Sequence, residues 1–141
     1  MSADLAALAR GWIGTPFVEG AAVRGVGCDC LGLVRGVLAE ATGRPLIVPP
    51  PPGRDWALDR RLDPLLSGLA RHADRVGKAD ARPGDVLVFR YHANVAGHHC
   101  GMLSAPGRMI HAAERSGVAE VGLDAWERRL AAVFRMRSAR D

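Results

Sequence analysis

The run Gly27-Cys28-Asp29-Cys30-Leu31-Gly32-Leu33-Val34 puts a thiol where a glycine-bounded loop turns into an apolar segment with helical spacing. Cys30 falls on the first turn of that helix, where backbone N–H groups lack intrahelical partners and carry partial positive charge. A thiol there loses its proton more readily, and the thiolate is the nucleophilic form. Downstream, His99 and His111 stand twelve positions apart, flanking Ser104-Ala105-Pro106-Gly107 in two segments with strand character. Acyl chemistry at cysteine needs a thiolate, a histidine that takes and returns a proton, and a third group that orients the imidazole. Cys30, His99 and His111 supply one candidate for each role.

Two histidines on one hairpin meet only if they face the same side, because strand side chains alternate between faces. A loop of three or five residues sets His99 directly opposite His111, whereas a tight four-residue turn sends them to opposite faces. Cys30 must also find both on its own face of the sheet. Cys28, two residues upstream and off the helix, reads as structural. His98 faces away from His99, and His72 and His92 have no partner evident in the sequence. Cys28, Cys30, His98, His99 and Cys100 are also ligands of the type zinc prefers, but structural zinc pairs are separated by about two to four residues and Cys28 and Cys30 by one. His99 and Cys100 moreover alternate faces, so no metal or other cofactor is expected.

These side chains need elements to hold them. Leu5, Leu8, Ala9 and Trp12 predict a helix over 3–13 behind a Ser2 cap, ended by Gly14-Thr15-Pro16. The glycine-rich stretch 20–27 lacks the Lys-Ser or Lys-Thr of a phosphate loop and the spacing of a dinucleotide fingerprint. The nucleophile helix is expected over 30–41 with Asp29 as its cap. Cys30, Val34, Val37 and Leu38 share one face, with Gly32 and Gly36 on a flank open to close approach. Residues 43–53 hold five prolines and read as an extended surface loop, with Trp56 beyond it as a possible rim of a groove. Asp63-Pro64 opens a further helix with the stripe Leu65, Leu66, Leu69 and Ala73. The period then becomes strand-like over 86–91, 99–103, 108–112, 118–123 and 133–137. Asp124-Ala125-Trp126-Glu127 has capping-box spacing for a short helix before the last strand. Helices followed by an antiparallel sheet make an α+β fold.

At 141 residues and 48% hydrophobic composition, one domain over 1–141 is expected. No apolar run is long enough to span a bilayer, and Met1-Ser2-Ala3-Asp4 does not open a signal peptide, so synthesis in the cytoplasm without membrane insertion is expected. Three cysteines, two of them nearly adjacent, argue for free thiols. The net charge of +4 favours loose association with anionic polymers such as cell-wall material. Basic residues are scattered and aromatics make up 5%, so a nucleic-acid partner is not expected.

Five motifs in order then carry a resemblance: Gly14-Thr15-Pro16-Phe17, Asp29-Cys30-Leu31-Gly32-Leu33-Val34, Arg82-Pro83-Gly84-Asp85-Val86-Leu87, His99-Cys100-Gly101-Met102 and Met109-Ile110-His111-Ala112. Together they resemble the NlpC family of papain-like peptidoglycan cysteine peptidases over residues 8–136, with only 43–82 unmatched. The resemblance implies a papain-like α+β fold of N-terminal helices packed on a C-terminal antiparallel sheet, with Cys30 as nucleophile, His99 as general base and His111 as the orienting residue. It places Phe17 and Asp29 at the substrate, and implies cleavage of peptidoglycan stem peptides, often between D-glutamate and a diamino acid. Many relatives carry Tyr at Phe17 and Ser at Leu31, and the first difference removes a hydroxyl that would contact substrate. The spelling Gly27-Cys28-Asp29-Cys30-Leu31-Gly32 most resembles the branch associated with phage tails and gene transfer agents, which implies tail or baseplate partners and action at the cell wall from a virion-like particle. Two alternatives stand beside hydrolysis: a non-catalytic tail adaptor of the same fold, and an amidase or acyltransferase using the same site.

Overall fold

The computed structural model describes residues 4–44, 68–90 and 99–137. Asp4, not Ser2, caps the first helix, α1 (Leu5–Arg10), accepting from the Ala7 N–H at 3.1 Å. The helix is shorter than its periodicity suggests, because successive turns from Gly11 onward carry Trp12 into the core. Ala6, Ala9 and Trp12 are the buried positions, while Leu5 and Leu8 are only partly covered.

A small ribbon follows, β1 (Ala22–Val23) against β2 (Gly27–Cys28), inside the stretch whose glycines had suggested only loop. The second helix, α2 (Cys30–Thr42), starts where Asp29 ends the ribbon, with the Asp29 carboxylate accepting from the Gly32 N–H at 2.7 Å. The glycine flank of α2 is a surface of close approach. A Cβ at Gly32 would collide with the Ala21 carbonyl oxygen, and one at Gly36 with the Trp12 ring. Trp12 is further tied to α2 by its indole N–H, which donates to Glu40.

The helix expected from Asp63-Pro64 falls mostly outside the described residues. Residues 68–70 are helical and Leu69 is fully buried, but Ala73, counted in the same stripe, opens strand β3 (Ala73–Val76). With only four residues, two of them Asp74 and Arg75, β3 left no alternation that could override the helical spacing before it. The five segments expected as strands are strands: β4 (Val86–Phe89), β5 (His99–Ala105), β6 (Arg108–Ala113), β7 (Gly117–Gly122) and β8 (Leu130–Met136). With β3 they form one antiparallel sheet in the order β3-β8-β4-β5-β6-β7, and this is the papain-like α+β arrangement. The short helix expected at Asp124-Ala125-Trp126-Glu127 is a single 3-10 turn at Glu127–Arg129, with no side-chain cap. The proline run, Trp56, His92 and His98 lie outside the described residues.

The sheet has two unlike faces. On one, Val88, Cys100, Met102, Ile110 and Ala112 pack with Val34, Val37 and Leu38 of α2. On the other, Leu87, Phe89, Leu103, Met109 and Val133 form a smaller cluster, partly covered by Trp126. Each fully buried aliphatic side chain stabilises by roughly 1.5–3 kcal/mol, so the helix-side face, with more of them, is the principal core.

Candidate active site

The β5–β6 hairpin determines whether the two histidines can meet. Pro106 and Gly107 close it, with Ala105 paired to Arg108. Continued without interruption, that register would pair His111 with Met102 and leave His99 facing the opposite side. A bulge at Ser104 intervenes, after which Leu103 pairs with Met109 and Met102 with Ile110. The slip sets Gly101 against His111, and His99, two residues from Gly101, returns to the His111 face. An even turn plus one bulge thus replaces the expected odd loop, and the histidines lie diagonally rather than directly opposite.

Gly101 clears the space between them: a Cβ there would stand 3.1 Å from the His111 Cβ. Across the gap His99 Nε2 lies 2.8 Å from His111 Nδ1, with the rings 5.1 Å apart and almost perpendicular at 84°. The bulge is pinned from both ends. The Ser104 hydroxyl donates to Glu120 Oε2 at 2.6 Å, its carbonyl accepts from Arg10 Nη2 at 3.1 Å, and Arg10 Nη1 bonds the same Glu120 oxygen at 2.9 Å.

The histidines do not share the face of the sheet on which α2 packs. They stand with Phe89, Leu103, Met109 and Trp126, whereas Cys30 belongs to the helix-side cluster. Contact is made at the end of the strand, because His99 is the first residue of β5 and its imidazole hydrogen-bonds the Cys30 thiol there. The next residue, Cys100, points toward the helix, and its thiol lies 3.3 Å from the Cys30 carbonyl oxygen and within hydrogen-bonding reach of the Cys30 thiol.

These neighbours set the charge. The Cys100 thiol foremost, then the His99 hydrogen bond and charge and the Cys100 backbone N–H, hold the Cys30 thiol well below its ordinary value, against burial that pushes it up. Cys100 is driven the other way by Cys30 and by its own burial, so the proton stays on Cys100 and the charge on Cys30. Cys28, fully buried, is pushed up to about 11 by burial and then by Asp29 and Cys30. The acidity that the sequence attributed to the helix start therefore comes chiefly from two side chains of β5. The helix's own Gly32 N–H is already taken by Asp29.

His111 is held down to about 4, first by burial and then by the His99 charge. It stays neutral at neutral pH, so its Nδ1 is free to accept from the His99 Nε2–H, which leaves His99 Nδ1 for the thiol. The set can hold a thiolate beside an imidazolium and pass one proton to a leaving group.

Asp29 and Phe17 sit beside this centre. The second carboxylate oxygen of Asp29 accepts from the Gly20 N–H at 2.7 Å, so the residue clamps the ribbon to the helix start from both oxygens. Phe17 forms an isolated bridge with Cys28 and packs against the main core. Two residues at the site escaped sequence reasoning, Cys100 and Trp126. Cys100 was hidden by the expectation that both histidines share the face of Cys30, which turns their strand neighbour away from the helix. Trp126 follows β7 and reaches the site only through tertiary packing. Among the described residues, no group of three or more His, Cys, Asp or Glu is placed to hold a metal ion.

Comparison with known proteins brings in a family model, that of the NlpC/P60 family, which matches residues 14–135. The gamma-DL-glutamyl hydrolase of Bacillus subtilis is 26% identical over 129 residues, covering 90% of this chain and 27% of that protein. A probable endopeptidase of Haemophilus influenzae is 27% identical over 107 residues, covering 76% of this chain and 56% of that one. The chain thus spans about a quarter to just over half the length of these curated relatives. The crystal structure of the NlpC/p60 domain of the peptidoglycan hydrolase SagA superposes with a TM-score of 0.69 at 21% identity, covering 94% of this chain and 97% of that one, a likeness of fold.

Proposed function

The chain belongs to the NlpC/P60 family, and we propose that it is a cysteine peptidase that hydrolyses stem peptides of peptidoglycan through an acyl-enzyme on Cys30. The observation that carries this is the 2.8 Å contact between His99 Nε2 and His111 Nδ1 beside a thiol held well below its ordinary value. The Cys30 thiolate adds to the scissile carbonyl. As the tetrahedral intermediate collapses, the C–N bond breaks and His99 gives its proton to the departing amine. Water then attacks the thioester with neutral His99 as base, which releases the carboxylate and restores the thiolate–imidazolium pair. His111 keeps its neutral Nδ1 toward His99 throughout and so holds the tautomer that each step requires.

The bond proposed is the one that follows a γ-linked D-glutamate. It is supported by the activity for which the Bacillus subtilis relative, the gamma-DL-glutamyl hydrolase, is named, a protein of which this chain matches about a quarter. Delivery by a phage-like tail is the second part of the proposal and rests on the spelling Gly27-Cys28-Asp29-Cys30-Leu31-Gly32. Purified peptidoglycan digested with the protein should yield new amino and carboxyl termini, identified by mass, at the D-glutamyl bond and none with Cys30→Ser. Equal digestion by that variant, or none by the wild type, refutes the peptidase. Absence of the protein from purified tail particles refutes the delivery route alone.

A further inference from the structure

Among the described residues, Trp126 is the one large side chain that touches both histidine rings and has no role in the chemistry above. Its indole lies 4.9 Å from the His99 ring and nearly parallel to it, at 24°. It meets the His111 ring edge-on at 5.4 Å and 79°. Phe89 backs the group, 5.3 Å from the indole and 6.0 Å from His99. The indole arrives from a segment that belongs to neither histidine strand. The backbone N–H of Trp126 donates to the Leu123 carbonyl at 2.8 Å, and the 3-10 turn at Glu127–Arg129 begins from it.

Hydrogen bonds at Nε2 and Nδ1 hold the His99 ring only along its edge, and the broad, two-fold profile of the imidazole torsion χ2 adds little restraint on its plane. A flat ring against its face removes that freedom. The same ring keeps water from competing for the hydrogen bond between the histidines and lowers the local dielectric, which strengthens that bond.

We propose that Trp126 is a positioning residue of the peptidase site, clamping the His99 imidazole in the plane that presents Nδ1 to Cys30 and Nε2 to His111. The proposal rests on the peptidase reading for its kinetic consequence but not for its structural one. Trp126 is also among the rings that bury His111, whose value near 4 arises mainly from burial.

Two substitutions separate a clamp from mere filler: Trp126→Phe keeps a planar face, whereas Trp126→Leu keeps apolar bulk without one. The first should hold kcat on a stem peptide within about threefold of wild type, and the second should lose about tenfold to a hundredfold in kcat with KM little changed. Titration of the His111 ring protons by NMR supplies a readout free of substrate. Its midpoint should stay low in the Phe variant and rise toward the ordinary histidine value in the Leu variant. A Leu variant that matches the Phe variant in kcat and in the His111 titration overturns the proposal. Should the wild type cleave no stem peptide, the peptidase reading fails by itself, and the His111 titrations still decide whether Trp126 clamps the pair.

Discussion

The two faces of the sheet are built from the same strands and do different work. The helix-side face is closed: Val88, Met102 and Ile110 are fully buried under α2, and it brings the thiols of Cys30 and Cys100 to the site. The opposite face is smaller and carries aromatic and imidazole rings, with His99 half-buried and Trp126 only partly covered. Cys30 belongs to the first face and His99 to the second. The difference teaches that the site is made at the end of β5, where one strand offers consecutive residues to both sides: His99 from one face and Cys100 from the other reach the same thiol. Helix packing fixes the position of Cys30, while the hairpin register fixes that of His99.

Breaking the contact between the faces should have the largest effect. Cys30→Ala should lower stem-peptide cleavage by at least about a thousandfold while the thermal midpoint stays near wild type, since only a half-buried sulfur is lost. Calorimetry beside the digestion assay checks both halves. Cleavage that survives would assign the nucleophile elsewhere.

Inserting one alanine between Cys100 and Gly101 attacks the register itself. Leu103 and Met102 keep their partners Met109 and Ile110, but everything before the insertion on β5 changes face. His99 is then driven into the helix-side core and Cys100 out of it. The expected result is a poorly folded protein with a broad, lowered thermal transition, and a cooperative, active insertion variant would show that strand register does not set the histidine pairing.

The histidine face should also be the pH-sensitive one. Folded His111 remains neutral down to about pH 4, whereas in an unfolded chain it takes a proton near pH 6.5. The unfolded state therefore binds the proton first, and stability falls as pH drops from about 6.5 to about 4, by on the order of 3 kcal/mol in all. Urea titrations at pH 7 and pH 5 should show wild type losing on the order of 2 kcal/mol more than His111→Asn across that interval. Parallel losses in the two proteins would remove burial of neutral His111 as the cause.

The smallest expected effect separates residue count from side-chain chemistry at the bulge. Ser104→Ala keeps the extra residue and removes the hydroxyl bond to Glu120, so it should cost about 1 kcal/mol and leave the histidines paired. Near-normal cleavage with a slightly lowered thermal midpoint is the expected outcome, and a loss like that of the insertion would mean that the hydroxyl rather than the count holds the register.

Local patterns were the legible part of this molecule. The apolar spacing after Asp29 gave α2 to within a residue, and turn residues between short apolar runs gave five of the strands of the main sheet. Ala73 was misassigned because a short edge strand with two charged residues has no period of its own and follows a longer helical stripe. Parity was read correctly as a requirement but met by another device. A bulge adds one residue to a strand and leaves no signature in composition, for its determinants at Ser104 are the distant partners Arg10 and Glu120. Trp126 is the same kind of case: Asp124 and Glu127 looked like a helix cap, while the residue between them that matters is defined by what it stacks on.

The meeting of the two faces is most directly tested by the pH dependence of Cys30 alkylation by iodoacetamide, with the modified residue identified by mass. The structure predicts modification of Cys30 ahead of Cys28 and Cys100, at a rate already high well below the ordinary thiol range, and a shift of that onset upward in His99→Ala. A wild-type onset in the ordinary range near pH 8.5, or one that His99→Ala does not move, would contradict the thiolate–imidazolium pair on which the account depends.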